Sequence, residues 1–147
     1  MGYGVPAAVA AKLRHPERDV VCFAGDGCFL MTGQEMATAK QYGANVIFIV
    51  VNNGMYGTIR MHQEREYPSR VSGTQLVNPD FAALAKAYGA TGEVVTETAQ
   101  FADAFARAKA ADSPALIELR TDPEAITPTA TLSGLLTQAE AREKGNP

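Results

Sequence analysis

The run Val46–Val51 most constrains the fold of this chain, because it is the longest uninterrupted apolar stretch and is rich in β-branched residues. Strands of this kind are buried on both faces and are typical of parallel sheets. A second apolar run, Val20–Ala24, is bounded by charged residues on one side and by Gly25 on the other. We predict that both runs are strands, with Val46–Val51 the clearest strand in the chain and Val20–Ala24 buried on both faces.

Helical patterns alternate with strands along the rest of the chain. The further predicted elements are helices from Gly4 to His15, from Thr32 to Tyr42, from Asn78 to Gly89 and after Thr98, with strands at Val94–Val95 and Ala115–Leu119. Parallel strands need a crossover connection, which a helix usually supplies. The alternation therefore predicts an α/β fold with three layers, αβα, around a mostly parallel sheet.

Local signals predict where several of these helices begin and end. Thr32 and Glu35 have the spacing of a capping box, in which a hydroxyl and a carboxylate satisfy backbone N–H groups reciprocally. Gly43 is predicted to be the left-handed stop of one helix, and a later helix is predicted to stop at Gly89. Thr98 is predicted to cap the helix that follows it.

The length of 147 residues predicts one domain, which we assign to residues 1–126. Residues 127–147 form a polar tail, in which we expect a short helix between Leu135 and Lys144. The net charge of −3 and the absence of a basic run argue against a nucleic-acid partner. We find no apolar run long enough to cross a membrane, and we expect two free thiols, at Cys22 and Cys28, in a cytoplasmic protein.

Polar residues follow two of the predicted strands. Gly25-Asp26-Gly27 comes after the first and Asn52-Asn53-Gly54 after the second. Ligands of parallel sheets collect beyond the carboxyl ends of strands, where glycines let an anion approach backbone amides. A carboxylate beside a phosphate would repel it unless a hard cation lay between them, and Mg²⁺ accepts carboxylate, amide and phosphate oxygens together. The pattern therefore predicts Mg²⁺ between Asp26 and Asn53, next to a diphosphate.

These residues also carry a family resemblance. Gly25-Asp26-Gly27, with Asn53 following 27 positions after Asp26, is similar to the signature of enzymes that depend on thiamine diphosphate (ThDP). The stretch from Met1 to Arg60 resembles the pyrophosphate-binding domain of the acetolactate synthase and benzoylformate decarboxylase group.

The resemblance implies roles for individual residues. Asp26, Asn53 and the carbonyl of Met55 would bind Mg²⁺, and Met1 would be the bulky residue that wedges between the two cofactor rings. The cofactor-binding set that the resemblance implies is Met1, Gly2, Gly25, Asp26, Gly27, Cys28, Asn53, Met55, Tyr56, Gly57 and Thr58. The implied chemistry is decarboxylation or carboligation of a 2-oxo acid, in which the cofactor carries the reaction.

The resemblance also implies what this chain lacks. Related enzymes carry a pyrimidine-binding domain with the glutamate that activates the cofactor, so we assign no catalytic residue here. The similarity begins part-way into the pyrophosphate domain, and we expect leading elements to be absent. We therefore expect a fragment or subunit that works in a homo- or hetero-oligomer with a pyrimidine-binding partner. His62 stands where acetolactate synthases have tryptophan, and Ile59 where simple pyruvate decarboxylases have glutamate.

Several residues also have plainer interpretations. Asp26 by itself could be a turn residue, Glu35 is interpreted as a cap, and His62 as part of a solvated helix face. Cys28 is interpreted as a small filler, and Phe101 with Phe105 as core. For the whole chain, the alternatives are a non-catalytic subunit that kept the fold and, from the Gly2-Tyr3-Gly4 pattern, a nicotinamide or flavin oxidoreductase.

Overall fold

The computed structural model describes residues 1–145 and divides into two compact units. The first, here called the sheet unit, comprises Met1–Asn52 and Asn78–Arg120. The second, here called the helical unit, comprises Asn53–Val77 and Thr121–Pro147. In chain order the elements are α1 (Gly4–Arg14), β1 (Val21–Gly25), α2 (Asp26–Thr32), α3 (Glu35–Gln41), β2 (Ile47–Asn52), α4 (Gly57–Glu66), α5 (Phe81–Ala87), β3 (Thr91–Val95), α6 (Phe101–Ala110), β4 (Ala115–Arg120), β5 (Ala125–Thr127), β6 (Ala130–Thr131) and α7 (Leu132–Gly145).

The sheet unit is built on a four-stranded sheet in the order β1-β2-β4-β3. All three pairings are parallel, with Ile47 of β2 lying between Val21 of β1 and Ala115 of β4. The two strands that end at the polar motifs, β1 and β2, are therefore neighbours. This confirms the predicted parallel sheet and brings the carboxyl ends of these strands to one edge.

Helices cover both faces of this sheet. On one face α1, α2, α3 and α5 pack against side chains that include Phe48 of β2 and Leu116 of β4. Phe29 and Phe81 meet there edge to face, with ring centroids 5.6 Å apart. On the other face α6 packs through small residues such as Ala104. The three-layer αβα prediction is confirmed, and Phe101 and Phe105 pack against the second core as expected.

The prediction that Val20–Ala24 is buried on both faces is wrong. β1 is an outer strand of the sheet, and α6 packs on β3 and β4 instead. Val21 and Phe23 therefore stay exposed, and Phe23 retains 67% of its accessible surface. An apolar sequence alone does not distinguish a central strand from an edge strand, because both carry the same side chains.

The motif Gly25-Asp26-Gly27, which we interpret from the sequence as a loop after the first strand, partly belongs to a helix in the structure. Gly25 is extended and α2 begins at Asp26, whose carboxylate lies in the first helical turn. Negative charge is favourable at that end of a helix. α2 continues through Thr32, so Thr32 is helical and cannot take the extended conformation of an N-cap. The predicted capping box with Glu35 is therefore wrong.

The other helix ends were predicted with mixed success. Gly43 and Gly89 have positive φ, of 65° and 75°, and end their helices as expected. Thr98 does not act as the cap of α6. Instead, Glu97 and Gln100 form a reciprocal capping box around a 3-10 turn that leads into α6.

The helical unit consists of α4 packed on α7, with the small antiparallel pair β5-β6 beside them. Glu64 is buried in α4 and forms an ion pair with Arg60, with an N···O distance of 2.6 Å. The predicted tail helix is present and longer than expected, because α7 spans Leu132–Gly145. The assignment of residues 1–126 to one cofactor-binding domain and of 127–147 to a tail stays a prediction. Within residues 1–145, no helix combines the length and apolar character that a bilayer crossing requires.

Candidate functional site

Asp26 is a buried carboxylate at the end of β1. Its exposed fraction is 2%, and its Oδ1 accepts a 2.8 Å hydrogen bond from the backbone N–H of Gly27. Beside it, a Cβ at Gly25 would meet no atom within 4 Å, so the backbone borders open space there. A buried carboxylate is costly unless hydrogen bonds stabilise it.

A second hydrogen bond reaches Asp26 from a distant part of the sequence. Asn78 Nδ2 donates to Asp26 Oδ2 at 2.7 Å and to Asn52 Oδ1 at 2.8 Å. Asn52 Nδ2 in turn donates to Glu118 Oε1 at 2.8 Å, and Arg120 Nε donates to the same oxygen at 3.1 Å. We call these five residues of the sheet unit the carboxyl-end network, because Asp26, Asn52 and Arg120 lie at or directly after the ends of β1, β2 and β4.

Two acceptors of this network have no hydrogen-bond partner among the residues that the structure describes. They are Asn78 Oδ1 and Glu118 Oε2, and both are buried. A buried polar atom without a partner costs about 1–3 kcal/mol. The network is therefore a costly arrangement for the sheet unit to keep.

Sequence reasoning missed Asn78 and Glu118 as members of this region. Glu118 carried a signal, since it is a charged residue in the middle of the apolar strand Ala115–Leu119. Asn78 was interpreted only as part of a helix start, and Asp80 two residues later does cap α5 by accepting from Ala83 N–H at 2.8 Å. The contact with Asp26, 52 residues earlier in the chain, left no local signal.

The Asn53 loop belongs to the helical unit and is described within it. Asn53 Oδ1 accepts a hydrogen bond from Met55 N–H at 3.2 Å, and Met55 O accepts one from Gly57 N–H at 2.9 Å. Gly54 has a φ of 71°, which favours glycine. A Cβ at Gly57 would come within 2.8 Å of Asn53 Nδ2, so a larger residue there would force the Asn53 amide to shift.

The predicted site residues divide between the two units. Met1, Gly2, Gly25, Asp26, Gly27 and Cys28 are in the sheet unit, and Asn53, Met55, Tyr56, Gly57 and Thr58 are in the helical unit. Within the sheet unit, the Gly2 carbonyl accepts from Thr32 Oγ1 at 2.8 Å, which ties the start of the chain to the end of α2. Met1 is 65% exposed. The joint cation site stays a prediction.

The plainer interpretations have separate outcomes. Glu35 accepts a 2.7 Å hydrogen bond from Thr38 Oγ1 on its own helix, and His62 is exposed on α4. Cys22 and Cys28 are free thiols as predicted. Burial raises the pKa of the Cys22 thiol, which keeps it protonated at neutral pH.

Comparison with known proteins defines the class. Residues 1–119 match the family described as "Thiamine pyrophosphate enzyme, C-terminal TPP binding domain", thiamine pyrophosphate being another name for ThDP. The chain belongs to this family, and the predicted resemblance is confirmed.

The chain is also similar to individual members of this family. An acetolactate synthase large subunit from Parasynechococcus marenigrum (strain WH8102) is 39% identical over 121 residues, which are 81% of this chain and 20% of that protein. A probable acetolactate synthase large subunit from Methanocaldococcus jannaschii is 33% identical over 138 residues, 93% of this chain and 23% of that protein. The solved structure of a Rhodococcus jostii RHA1 thiamine diphosphate-dependent 4-hydroxybenzoylformate decarboxylase aligns with a TM-score of 0.78 and 38% identity, over 83% of this chain and 23% of that one. The chain thus spans about a fifth of the length of the curated relatives it matches.

Proposed function

We propose that this chain is the diphosphate-binding part of an acetolactate synthase-like enzyme, which decarboxylates or ligates 2-oxo acids with ThDP. The observation that carries the proposal is Asp26, held buried between two hydrogen bonds at the end of β1. It lies within the region that matches the ThDP-binding family.

The oxygens that the motif offers fit a hard cation. We propose that Asp26, Asn53 and the carbonyl of Met55 hold Mg²⁺. A carboxylate, an amide oxygen and a backbone carbonyl are all ligands that Mg²⁺ prefers, together with phosphate oxygens. The single protein charge and the diphosphate would be largely balanced by the divalent ion.

We propose that backbone atoms cradle the diphosphate and that Met1 contacts the cofactor rings. The proposed contact residues are Met1, Gly2, Gly25, Gly27, Cys28, Tyr56, Gly57 and Thr58. When bound, ThDP would supply the electron sink for the carbanion that forms on loss of carbon dioxide. The residues of this chain would position the cofactor and compensate its charge.

The rest of the enzyme has to come from elsewhere in this proposal. We propose a pyrimidine-binding domain or subunit as partner, within a homo- or hetero-oligomer, and a cytoplasmic location. The length of the relatives supports a larger whole, since this chain spans only about a fifth of them.

The proposal is tested by titration calorimetry on the full chain with three ligands. Mg²⁺ with ThDP and Mg²⁺ with inorganic diphosphate are expected to bind, whereas thiamine without phosphate is not. Asp26→Asn removes the charge at constant size and is expected to weaken Mg²⁺-diphosphate by more than the roughly 10–100-fold typical of changing a ligand's hydrogen-bond partner. Asp103→Asn, at an exposed aspartate in the first turn of α6, is the matched control and is expected to bind normally.

The titration is repeated with an added pyrimidine-binding subunit. This repeat tests whether ThDP binds only when this chain and that subunit are both present. Binding in neither arrangement would favour the alternative of a non-catalytic subunit that retains the fold.

A further inference from the structure

We propose that Asn78 is a positioning residue for the Asp26 carboxylate, and that Glu118 sets the orientation of Asn78 through Asn52. This inference rests on the proposed function, because it assigns Asp26 to a divalent cation. It adds three residues from three other parts of the sheet unit: Asn52 at the end of β2, Asn78 before α5 and Glu118 in β4.

Glu118 determines which groups of the network donate hydrogen bonds and which accept them. Glu118 Oε1 accepts from Asn52 Nδ2, so the Asn52 carbonyl oxygen faces the other way and accepts from Asn78. An amide nitrogen carries two donors and an amide oxygen carries none. Both N–H groups of Asn78 are thereby committed, one to Asn52 and one to Asp26.

This arrangement holds both oxygens of the Asp26 carboxylate. Gly27 N–H donates to Oδ1 and Asn78 to Oδ2, at 2.8 Å and 2.7 Å, so rotation of the carboxylate would break a hydrogen bond on each side. Partners that orient a ligand before the metal arrives raise metal affinity, and losing one typically costs roughly 10–100-fold. Asn78 is the partner that comes from outside the motif.

Stability alone does not explain why the sheet unit keeps this network. Glu118 is 1% exposed on a strand between two others, and one of its oxygens has no hydrogen-bond partner in the described range 1–145. Apolar residues of similar volume are often as stabilising as buried charged groups, or more so. A charged anchor in the sheet is therefore better explained by the orientation that it imposes on Asn52 and Asn78.

The test measures Mn²⁺ binding by electron paramagnetic resonance, on the full chain with saturating ThDP. Asn78→Ala removes both donors, and Asn78→Leu removes them while keeping the volume in case the smaller residue disturbs folding. The matched control is Asn45→Ala, because Asn45 also donates to an aspartate, Asp112 at 3.4 Å, but precedes β2 at the opposite end of the strand. We expect both Asn78 variants to raise the Mn²⁺ dissociation constant about 10–100-fold at unchanged stoichiometry, and Asn45→Ala to leave it unchanged.

The stoichiometry separates positioning from a merely structural role. A variant that only unfolds part of the protein would lower the number of Mn²⁺ sites and leave the dissociation constant of the folded fraction unchanged, which would overturn the inference. Wild-type affinity in both Asn78 variants would also overturn it, while leaving the proposed function intact. Failure of the wild-type chain to bind Mn²⁺ with ThDP, with or without a pyrimidine-binding subunit, would overturn the proposed function and this inference with it.

Discussion

Two glutamates on neighbouring strands of the sheet unit, Glu118 on β4 and Glu93 on β3, have opposite environments. Glu118 is 1% exposed and accepts from Asn52 and Arg120. The Glu93 side chain is 35% exposed and accepts hydrogen bonds from two nitrogens of the Arg107 guanidinium, with the shortest N···O distance at 2.7 Å. Val94 rather than Glu93 lies opposite Glu118 in the strand register, so the two carboxylates point to opposite faces of the sheet.

The contrast between the two glutamates shows that pairing with an arginine does not by itself define what a carboxylate contributes to stability. An exposed pair such as Glu93 with Arg107 contributes about 0–1 kcal/mol, because water screens it. Glu118 is linked through two amides to Asp26, and removing it would take away the carboxylate that Asn52 Nδ2 donates to at 2.8 Å. Glu93 is therefore a surface residue, whereas Glu118 belongs to the candidate site.

The largest expected effect is that of Glu118→Ala on stability. The variant removes the Glu118 carboxylate from the hydrogen bonds with Asn52 and Arg120 and opens a cavity in the sheet, so we expect the free energy of unfolding to fall by about 3 kcal/mol. Chemical denaturation at pH 7 measures it. Glu93→Ala is the matched control on the next strand, with an expected loss of at most about 1 kcal/mol. Equal losses in the two variants would remove the contrast between the two glutamates.

A smaller effect is expected from Arg107→Gln, and it depends on pH. The hydrogen bond from Arg107 holds the pKa of the Glu93 carboxyl below its ordinary value of 4.5. A depressed pKa in the folded state stabilises the protein above the unfolded-state pKa, and this contribution is lost as the pH falls through the folded-state value. We therefore expect only a small loss of stability at pH 7, because water screens this exposed pair.

The wild-type protein and Arg107→Gln should become equally stable once the pH is below the pKa of Glu93 in the folded protein. Denaturant unfolding at several pH values measures this, and NMR titration should show the pKa of Glu93 rising towards 4.5 in the variant. A stability difference that persisted in acid would mean that Arg107 contributes mainly by packing.

The smallest effect is expected from Lys109→Ala at an ion pair with Asp19. The pair is 2.7 Å long, but both side chains are more than half exposed. We expect no measurable change in the unfolding midpoint, and any residual difference should vanish in high salt. NMR titration should nevertheless detect the loss of the partner, because the pKa of Asp19, which Lys109 lowers, would return towards 3.8. A clear loss of stability would show that the solvent exposure of an ion pair does not predict its contribution to the free energy of unfolding.

Local patterns predicted the elements of the sheet unit better than their ends and faces. The run Val46–Val51 was correctly interpreted as a strand, and β2 spans Ile47–Asn52. The Thr32–Glu35 box failed, because α2 extends through Thr32. The exposed face of β1 also escaped prediction, since the position of a strand within the sheet is set by pairings between distant residues.

The α/β class, the parallel sheet and Asp26 as a candidate ligand were predictable from the amino-acid sequence, because they follow from periodicity and from a motif of near neighbours. The link from Asn78 and Glu118 to Asp26 emerges only in the folded protein. Their hydrogen bonds join residues that are 52 and 66 positions apart, and no local preference encodes such contacts. They form because the sheet brings the ends of β1, β2 and β4 to one edge, where buried polar groups must find partners in each other.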